Sequence, residues 1–397
     1  MYYPLECPNP DFQLFVDVLS GKRKPNRIHL VELGYDREVI QNIYERTTNE
    51  PFLYMEAEAI RTESMRKFYE GEPVIPLRDE AEKTYYRQFI NFYYRMGYDY
   101  VPDTQPWRYF KSMMRPAVRT AEDTANLPRK AGYTDVADKA GNREWVEEGK
   151  GIITSWKDFE RFPWDRMVLD LEHHHRLLQE STPSGMRVMI VGSLFEHVTE
   201  QLLGFEGLAY LLYDDPELVK AVVDGYAAIL DRFYTQVIDW DCIGGIFHVD
   251  DFGHLTGTHV SPEILRELFF PHLARFASLT HNHGKVFWLH SCGNHSEIME
   301  DFIETVKIDA FHSFQDTIMP VGEFAKHYQG RIGVLGGVDV DKLCRLDEDS
   351  LRGYVRGILK TCVPGGRYAL GSGNSIANYV PVDNVFIMLE EGRRYEF

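Results

Sequence analysis

The stretch from Lys285 to Asn294 reads KVFWLHSCGN, a short apolar run that ends in polar residues. Such a run is typical of a buried strand whose polar side chains follow at its end. His290 and Cys292 lie two residues apart, so an extended backbone points both side chains to the same side. A neutral imidazole and a thiolate supply half of a zinc site, although a His-x-Cys pair alone is a weak signal.

The same unit, an apolar run followed by a helical stretch, recurs along the chain. Runs of this kind begin near residues 28, 98, 187, 244, 286, 309, 332 and 367. Alternating strands and helices predict a parallel sheet. Eight such units fit an α/β fold of the (β/α)8 TIM-barrel type, and an open doubly wound sheet is the alternative.

Two parts of the chain depart from this alternation. Residues 8–24 predict an amphipathic helix before the first strand, which would form an N-terminal helical extension. Residues 103–165 combine turn residues with short extended pieces, which predicts an inserted hairpin or loop region between strands 2 and 3. Its apolar residues are too scattered for a separate core. We therefore expect one barrel domain over residues 1–397, with 103–180 as an insertion or lid within it.

Charge and cysteine content exclude several classes of protein. Lys and Arg total 43 against 61 Asp and Glu, a net charge of −18. This excess of acid disfavours nucleic acid and anionic membrane surfaces as partners. The five cysteines are irregularly spaced and do not indicate a disulfide framework. With no signal peptide and no apolar run long enough for a membrane span, we expect a cytoplasmic protein.

The carboxyl ends of the predicted strands carry many polar residues. In a barrel these ends face one cavity and supply the reactive side chains. Each residue also has an ordinary explanation, because acidic residues cap helices or form turns and a buried histidine is often part of the core. So many ionisable groups at the carboxyl ends of the strands nevertheless predict an active site. The set comprises Glu32, Asp99, Glu196, His197, Asp250, Asp251, His290, Cys292, His312, Gln315, Asp339, Ser372, Asn374 and Ser375.

Several of these strand ends form motifs that resemble a known family. They read DDFG at 250–253, HSCGN at 290–294, GGVD at 336–339, LGSG at 370–373 and PVDN at 381–384. These motifs are similar to those of the uroporphyrinogen decarboxylase superfamily, and the similarity extends over nearly the whole chain. The resemblance implies a (β/α)8 barrel, in agreement with the strand count.

The resemblance is closer to one branch of this superfamily than to the other. True uroporphyrinogen decarboxylases hold the substrate's carboxylates with an arginine-rich segment of the Arg-Gln-Ala-Gly-Arg type. This chain has ELGYD at 32–36 in that region, which would repel a polyanionic substrate. The motifs therefore favour the corrinoid-dependent methyltransferase branch. A metal-independent decarboxylase or lyase acting on a small or tetrapyrrole carboxylic acid is the alternative, and a binding protein without chemistry is a third possibility.

In the methyltransferase branch, a His-x-Cys after the fifth strand and a further Cys after the eighth bind zinc. His290 and Cys292 match the first two ligands, but the last strand ends in GSGNS at 371–375 without a cysteine. His312 is the favoured substitute as third metal ligand. Asp251, Asp339 or a substrate oxygen are the other candidates, all of which zinc accepts.

The resemblance implies a zinc-dependent methyltransferase component of a corrinoid-dependent demethylation system. It would move a methyl group from a small methoxylated aromatic substrate to a corrinoid (cobalamin) carried by a partner protein, with zinc polarising the ether oxygen. The resemblance also implies pairing as a homodimer. The catalytic candidates are Glu196, Asp250, Asp251 and Asp339, and the substrate-binding candidates are Glu32, Phe195, Phe252, Gln315 and Asn374.

Overall fold

The computed structural model describes residues 3–53, 80–114, 118–120, 144–146, 151–165 and 171–397. Its strands are β1 (Tyr100–Asp103), β2 (Val118–Thr120), β3 (Glu144–Val146), β4 (Arg187–Gly192), β5 (Ile243–Val249), β6 (Val286–His290), β7 (Ala310–His312), β8 (Gly333–Leu335) and β9 (Tyr368–Ala369). Seven of them form one parallel sheet in the order β1-β4-β5-β6-β7-β8-β9. This order follows the chain without reversal, whereas a doubly wound sheet reverses at a switch point.

Helices alternate with these strands. They are α1 (Phe12–Leu19), α2 (Arg37–Thr48), α3 (Glu80–Arg95), α4 (Gln105–Met113), α5 (Trp156–Arg161), α6 (Leu171–Ser181), α7 (Phe195–His197), α8 (Phe205–Asp214), α9 (Pro216–Val237), α10 (Pro262–Ile264), α11 (Phe270–Asn282), α12 (Val321–Tyr328), α13 (Val340–Arg345), α14 (Glu348–Cys362) and α15 (Val382–Arg393). Between these helices, π-helical turns lie at Val198–Leu202, Leu265–Phe269 and Asp301–Val306, and a 3₁₀ turn lies at Val363–Gly365. Among the described helices, none combines the length and apolar character that a bilayer-spanning segment needs.

The first predicted strand, near residue 28, is reduced to a single bridge. Leu30 pairs in parallel with Leu370, and the Val31 N–H donates to the Leu370 carbonyl at 2.9 Å. Side chains from this segment and from every strand of the sheet, including Val31, Tyr100 and Ala369, share one buried cluster. The sheet is therefore curled, as in TIM-barrel-like folds.

Helix α1 covers the amino ends of the strands. The Asp11 carboxylate caps its start by accepting the Leu14 N–H. Phe12 and Phe15 pack on Trp288 of β6, with ring centroids 6.1 and 5.4 Å apart. The amphipathic pattern of residues 8–24 thus corresponds to a shorter helix that fills the bottom of the sheet.

The strand predicted to begin near residue 98 starts later, at Tyr100. It runs through Pro102 to Asp103, because the Pro102 nitrogen faces away from β4 and no ladder hydrogen bond is lost. Asp99 therefore precedes β1 and lies at the amino end, where His29 Nδ1 is 2.6 Å from its carboxylate. The expectation that Asp99 lies at the carboxyl ends of the strands is wrong.

The region 103–180 contains the antiparallel pair of β2 and β3, in register Val118 with Val146 and Thr120 with Glu144. Helices α4, α5 and α6 also belong to this region. Residues 115–117, 121–143, 147–150 and 166–170 lie outside the described part, so the role of this region as a lid stays a prediction.

Candidate metal centre

Three side chains that can bind a metal converge at the carboxyl ends of β5 and β6. They are Asp251, His290 and Cys292, and their ligand atoms all lie within 4.8 Å of one another. His290 Nε2 is 3.5 Å from Asp251 Oδ1 and 3.5 Å from Cys292 Sγ. The His-x-Cys pair of the sequence is thus joined by a carboxylate from the neighbouring strand. We call these three residues the ligand group.

The pairing of β5 and β6 brings the ligand group together. Val249 lies opposite His290, so the residues that follow on each strand are neighbours. The loops then touch at two glycines: Gly293 has φ +103°, and a Cβ there would lie 2.2 Å from the Gly253 carbonyl carbon. Only glycine tolerates both this backbone conformation and this approach.

His312 lies behind His290, not beside the sulfur. Its Nε2 is 3.2 Å from the Ser372 carbonyl oxygen, and its Nδ1 is 2.7 Å from His290 Nδ1. Burial and the neighbouring His290 hold the pKa of His312 well below its usual value, so the ring is neutral. With Nε2–H donating to the carbonyl, Nδ1 accepts the His290 Nδ1–H and leaves the His290 Nε2 lone pair facing the ligand group.

The Cys292 sulfur has polar neighbours from two further strand ends. The Asn374 amide donates to Sγ at 3.1 Å, and Ser313 Oγ lies 3.5 Å away. Burial and the negative Asp251 raise the pKa of the Cys292 thiol well above its usual value. Burial alone would also raise the pKa of Asp251, but His290 and the Cys292 N–H hold it well below its usual range. A cation placed here would favour the thiolate and balance the carboxylate together.

These residues fit a zinc ion. Imidazole, thiolate and carboxylate are all zinc ligands, and catalytic zinc sites use three protein ligands plus one open position. The second ring nitrogen of His290 is held by His312, as is usual for metal-binding histidines. Asp251 offers a third ligand atom, while both His312 nitrogens have other partners.

Two of the acidic candidates have structural partners. Asp250 is buried and accepts hydrogen bonds from Ser193 Oγ at 2.8 Å and from the Leu194 and Glu196 N–H groups at 3.0 and 3.1 Å. Asp339 caps α13 by accepting the Lys342 N–H at 3.1 Å. Both carboxylates therefore organise loops outside the ligand group.

The substrate-binding candidates are scattered. Phe195 and Phe252 are fully buried with ring centroids 5.0 Å apart, so the structure places them in the core between sheet and helices. Glu32 is buried against Ser372. Gln315 lines a cleft with an empty volume of about 460 Å³, whose wall also includes Ser313. Among these candidates, Asn374 contacts the ligand group directly.

Sequence reasoning missed two participants of the site. Lys111 of α4 binds Glu196 and Glu200, with Nζ 3.0 Å from an oxygen of each. It lies in the irregular region 103–165, where no strand end or motif marks it. Ser313 follows β7 directly, so the strand-end argument that selected His312 could have included it.

A family profile and one solved structure with a TM-score above 0.5 agree with this architecture. No curated protein sequence matches the chain. The structure is similar to a methyltransferase from Methanosarcina mazei, with a TM-score of 0.61 and 14% identity over 97% of this chain and 98% of that one. A B12-independent methionine synthase from a Shewanella species gives a TM-score of 0.46 and 14% identity over 80% of this chain and 89% of that one. The profile described as uroporphyrinogen decarboxylase (URO-D) matches residues 192–395, which include the whole ligand group. The chain belongs to the uroporphyrinogen decarboxylase family.

Proposed function

We propose that this protein is a zinc-dependent methyltransferase. In this proposal it takes a methyl group from a methoxylated aromatic substrate and passes it to a corrinoid carried by a partner protein. The observation that carries the proposal is the ligand group, in which a carboxylate, an imidazole and a thiol lie within 4.8 Å. Family membership and the fold shared with a methyltransferase support it.

Zinc bound by Asp251, His290 and Cys292 would act as a Lewis acid on the ether oxygen of the substrate. One thiolate and one carboxylate together balance the charge of the ion. A carboxylate donates less electron density than a thiolate. Asp251 in place of the second cysteine that the methyltransferase branch implies would therefore favour activation of a hard oxygen atom. His312 and Asn374 orient the imidazole and the sulfur, which keeps the ligands in place without the ion.

Metal analysis with matched variants tests this proposal. We expect one zinc ion per chain in the wild type. Cys292→Ser or Asp251→Asn should lower zinc affinity by more than about 100-fold, because loss of a ligand should cost more than the 10–100-fold loss that follows removal of a residue that only supports a ligand. Asp341→Asn is the control, since Asp341 lies on the surface and pairs with Arg345. Zinc content is measured by mass spectrometry and affinity by competition with a chromogenic chelator. Unaltered zinc affinity in both ligand variants would contradict the metal site.

The family also contains the chemistry of decarboxylation, so a metal-independent carboxy-lyase is the second candidate. It predicts release of carbon dioxide from a carboxylic acid and activity that a chelator leaves unchanged. The methyltransferase predicts the opposite response to the chelator.

A further inference from the structure

A cleft lined by apolar side chains lies beside the ligand group. Its walls come from the segments that follow β6 and β7 and from helix α12, which supply Met299, Phe314 and Phe324 respectively. All three of these side chains are buried. The empty volume of the cleft is about 460 Å³, counting the part that is open to solvent. Pockets that bind small molecules measure about 300–1,000 Å³, so the cleft has the size of a ligand site.

Aromatic rings make up much of the wall. The Phe324 ring centroid lies 5.0 Å from that of Phe314, 5.4 Å from that of Phe311 and 4.8 Å from that of Tyr328. All four rings line the cleft, together with the thioether of Met299. Aromatic rings attract one another in offset and edge-to-face arrangements, and a thioether makes favourable contacts with a ring. The lining therefore favours an aromatic ring as the bound group.

The cleft offers nothing to neutralise a charged ligand. No Asp, Glu, Lys or Arg occurs among the described residues that line it. Two cations of the bordering segments are paired with acidic residues, Lys326 with Glu323 and Lys342 with Asp316, each at 2.6 Å. A carboxylate buried in the cleft would lose its hydration without gaining a cation, which is costly. The lining therefore selects a neutral ring over one that carries a carboxylate.

The wall of the cleft reaches the ligand group at Ser313. This residue lines the cleft, and its Oγ lies 3.5 Å from Cys292 Sγ. The hydroxyl is held in place because it donates to the Gly373 carbonyl at 2.9 Å. Gly293, which follows Cys292 directly in the chain, belongs to the same wall. A molecule that fills the cleft as far as Ser313 would therefore arrive beside the ligand group.

We propose that this cleft binds the ring of an uncharged aromatic methyl ether, so that the substrates of this protein are neutral methoxybenzenes and not methoxybenzoates. The inference rests on the proposed function and narrows its substrate class. The ring lies among Phe311, Phe314 and Phe324, and the methoxy group points toward Ser313. The residues of the cleft bind and orient the substrate, and they take no part in breaking its bond.

The first test detects binding in the full chain and needs no methyl transfer. Carbon-13 labelling of the methionine methyl groups reports on the cleft through Met299 and Met319, whose signals are assigned by their loss in the Met→Leu variants. Methoxybenzene should shift both signals through its ring current, while the buried Met186 and Met388, which do not line the cleft, should stay unmoved. 4-Methoxybenzoate should bind at least about tenfold more weakly, because its carboxylate would be buried without a partner. Unmoved signals of Met299 and Met319, or equal affinities for the two ligands, would overturn the inference.

The second test blocks the cleft. Ile318→Trp places an indole at a half-buried position of the lining, and affinity for methoxybenzene should fall at least about tenfold, because the ring loses the apolar burial on which its affinity depends. Thr317→Trp is the control, since it adds the same side chain at an exposed position outside the lining. Ile318→Lys places an ammonium at the same position and should bind 4-methoxybenzoate more tightly than the wild type does, which a misfolded variant would not do. Wild-type affinities in both Ile318 variants would contradict the inference.

A transfer assay separates the inference from the proposed function. If methoxybenzene binds in the cleft but the zinc-loaded wild type forms no phenol with cob(I)alamin as acceptor, the proposed function fails and the cleft stands as a site for neutral rings. If phenol forms and Ile318→Trp leaves the KM for methoxybenzene unchanged, the proposed function stands and the assignment of the cleft fails.

Discussion

At the scale of single residues, Asn374 explains how this chain differs from the ligand pattern that the methyltransferase branch implies. Its amide lies 3.1 Å from Cys292 Sγ, at the end of the last strand, where the resemblance to that branch implies a cysteine. An amide nitrogen donates to sulfur but does not bind zinc. Asp251, whose carboxylate lies within 4.8 Å of the other two ligand atoms, would supply the third ligand atom instead.

Replacing Asn374 by cysteine should therefore change the metal site. Because the Asn374 amide nitrogen already contacts the sulfur, Asn374→Cys would place a second thiolate on the ion and raise zinc affinity by about tenfold or more, about 1.4 kcal/mol. In cobalt(II)-substituted protein, the thiolate-to-cobalt charge-transfer absorption should become stronger. Ser375→Cys, one residue further along, is the control. Equal absorption in Asn374→Cys and the wild type would show that this position does not reach the metal.

At the scale of elements, the loops after β5 and β6 form one unit that holds the ligand group. The Phe252 N–H donates to Ser291 Oγ at 3.1 Å, the Asn294 N–H to the His254 carbonyl at 2.9 Å, and the Gly253 N–H to the Cys292 carbonyl at 3.2 Å. These bonds hold Asp251 and Cys292 close together although they lie on different strands.

Gly293→Ala should disturb this unit. The added Cβ would lie 2.2 Å from the Gly253 backbone at a residue with φ +103°, so the loops must separate. We expect the free energy of unfolding to fall by more than about 1 kcal/mol and zinc affinity to fall with it. Urea denaturation and chelator competition measure the two effects. Gly257→Ala, where an added Cβ meets nothing within 4 Å, should behave as the wild type.

At the scale of the whole molecule, the two ends of the described chain meet at one seam of the sheet. Leu30 bridges Leu370 and Tyr35 bridges Ile376, while the Glu32 carboxyl group accepts the Ser372 N–H at 2.7 Å and lies 2.7 Å from the Ser372 hydroxyl oxygen. A single hydrophobic cluster contains residues from Tyr3 to Leu389. We therefore propose that residues 1–397 form one domain.

Glu32 should make this seam sensitive to pH. Burial raises its pKa to about 8, although the hydrogen bonds from Ser372 oppose the shift. A protonated Glu32 satisfies the geometry, because its O–H can donate to Ser372 Oγ while the serine hydroxyl donates to the Asn374 carbonyl at 2.7 Å. Between the ordinary value of 4.5 and about 8, the folded chain keeps a proton that the unfolded chain releases. Within that window the free energy of unfolding falls by about 1.4 kcal/mol per pH unit.

Glu32→Gln should remove this dependence, since its amide can make the same hydrogen bonds without a proton to lose. Relative to the wild type, the variant should gain stability as the pH rises from 5 to 8 in urea denaturation. The same stability difference at both values would mean that Glu32 is ionised in the folded chain.

The sequence by itself determined the alternation of strands and helices, because the apolar runs at 187–192, 286–289 and 367–371 are local patterns that correspond to β4, β6 and β9. Its motifs also identified the uroporphyrinogen decarboxylase superfamily. The spacing of two between His290 and Cys292 was enough to predict that both side chains point to the same side of one strand. These are properties of neighbours along the chain.

Tertiary structure decided which distant residues complete the site. The register of β5 against β6 brings Asp251 to the sulfur, and two glycines allow the approach. The hydrogen bonds of His312 on both ring nitrogens place it behind His290, and only packing of α4 against α7 joins Lys111 to Glu196. Such distances depend on strand register and helix packing, which a one-dimensional pattern of apolar and polar residues does not specify.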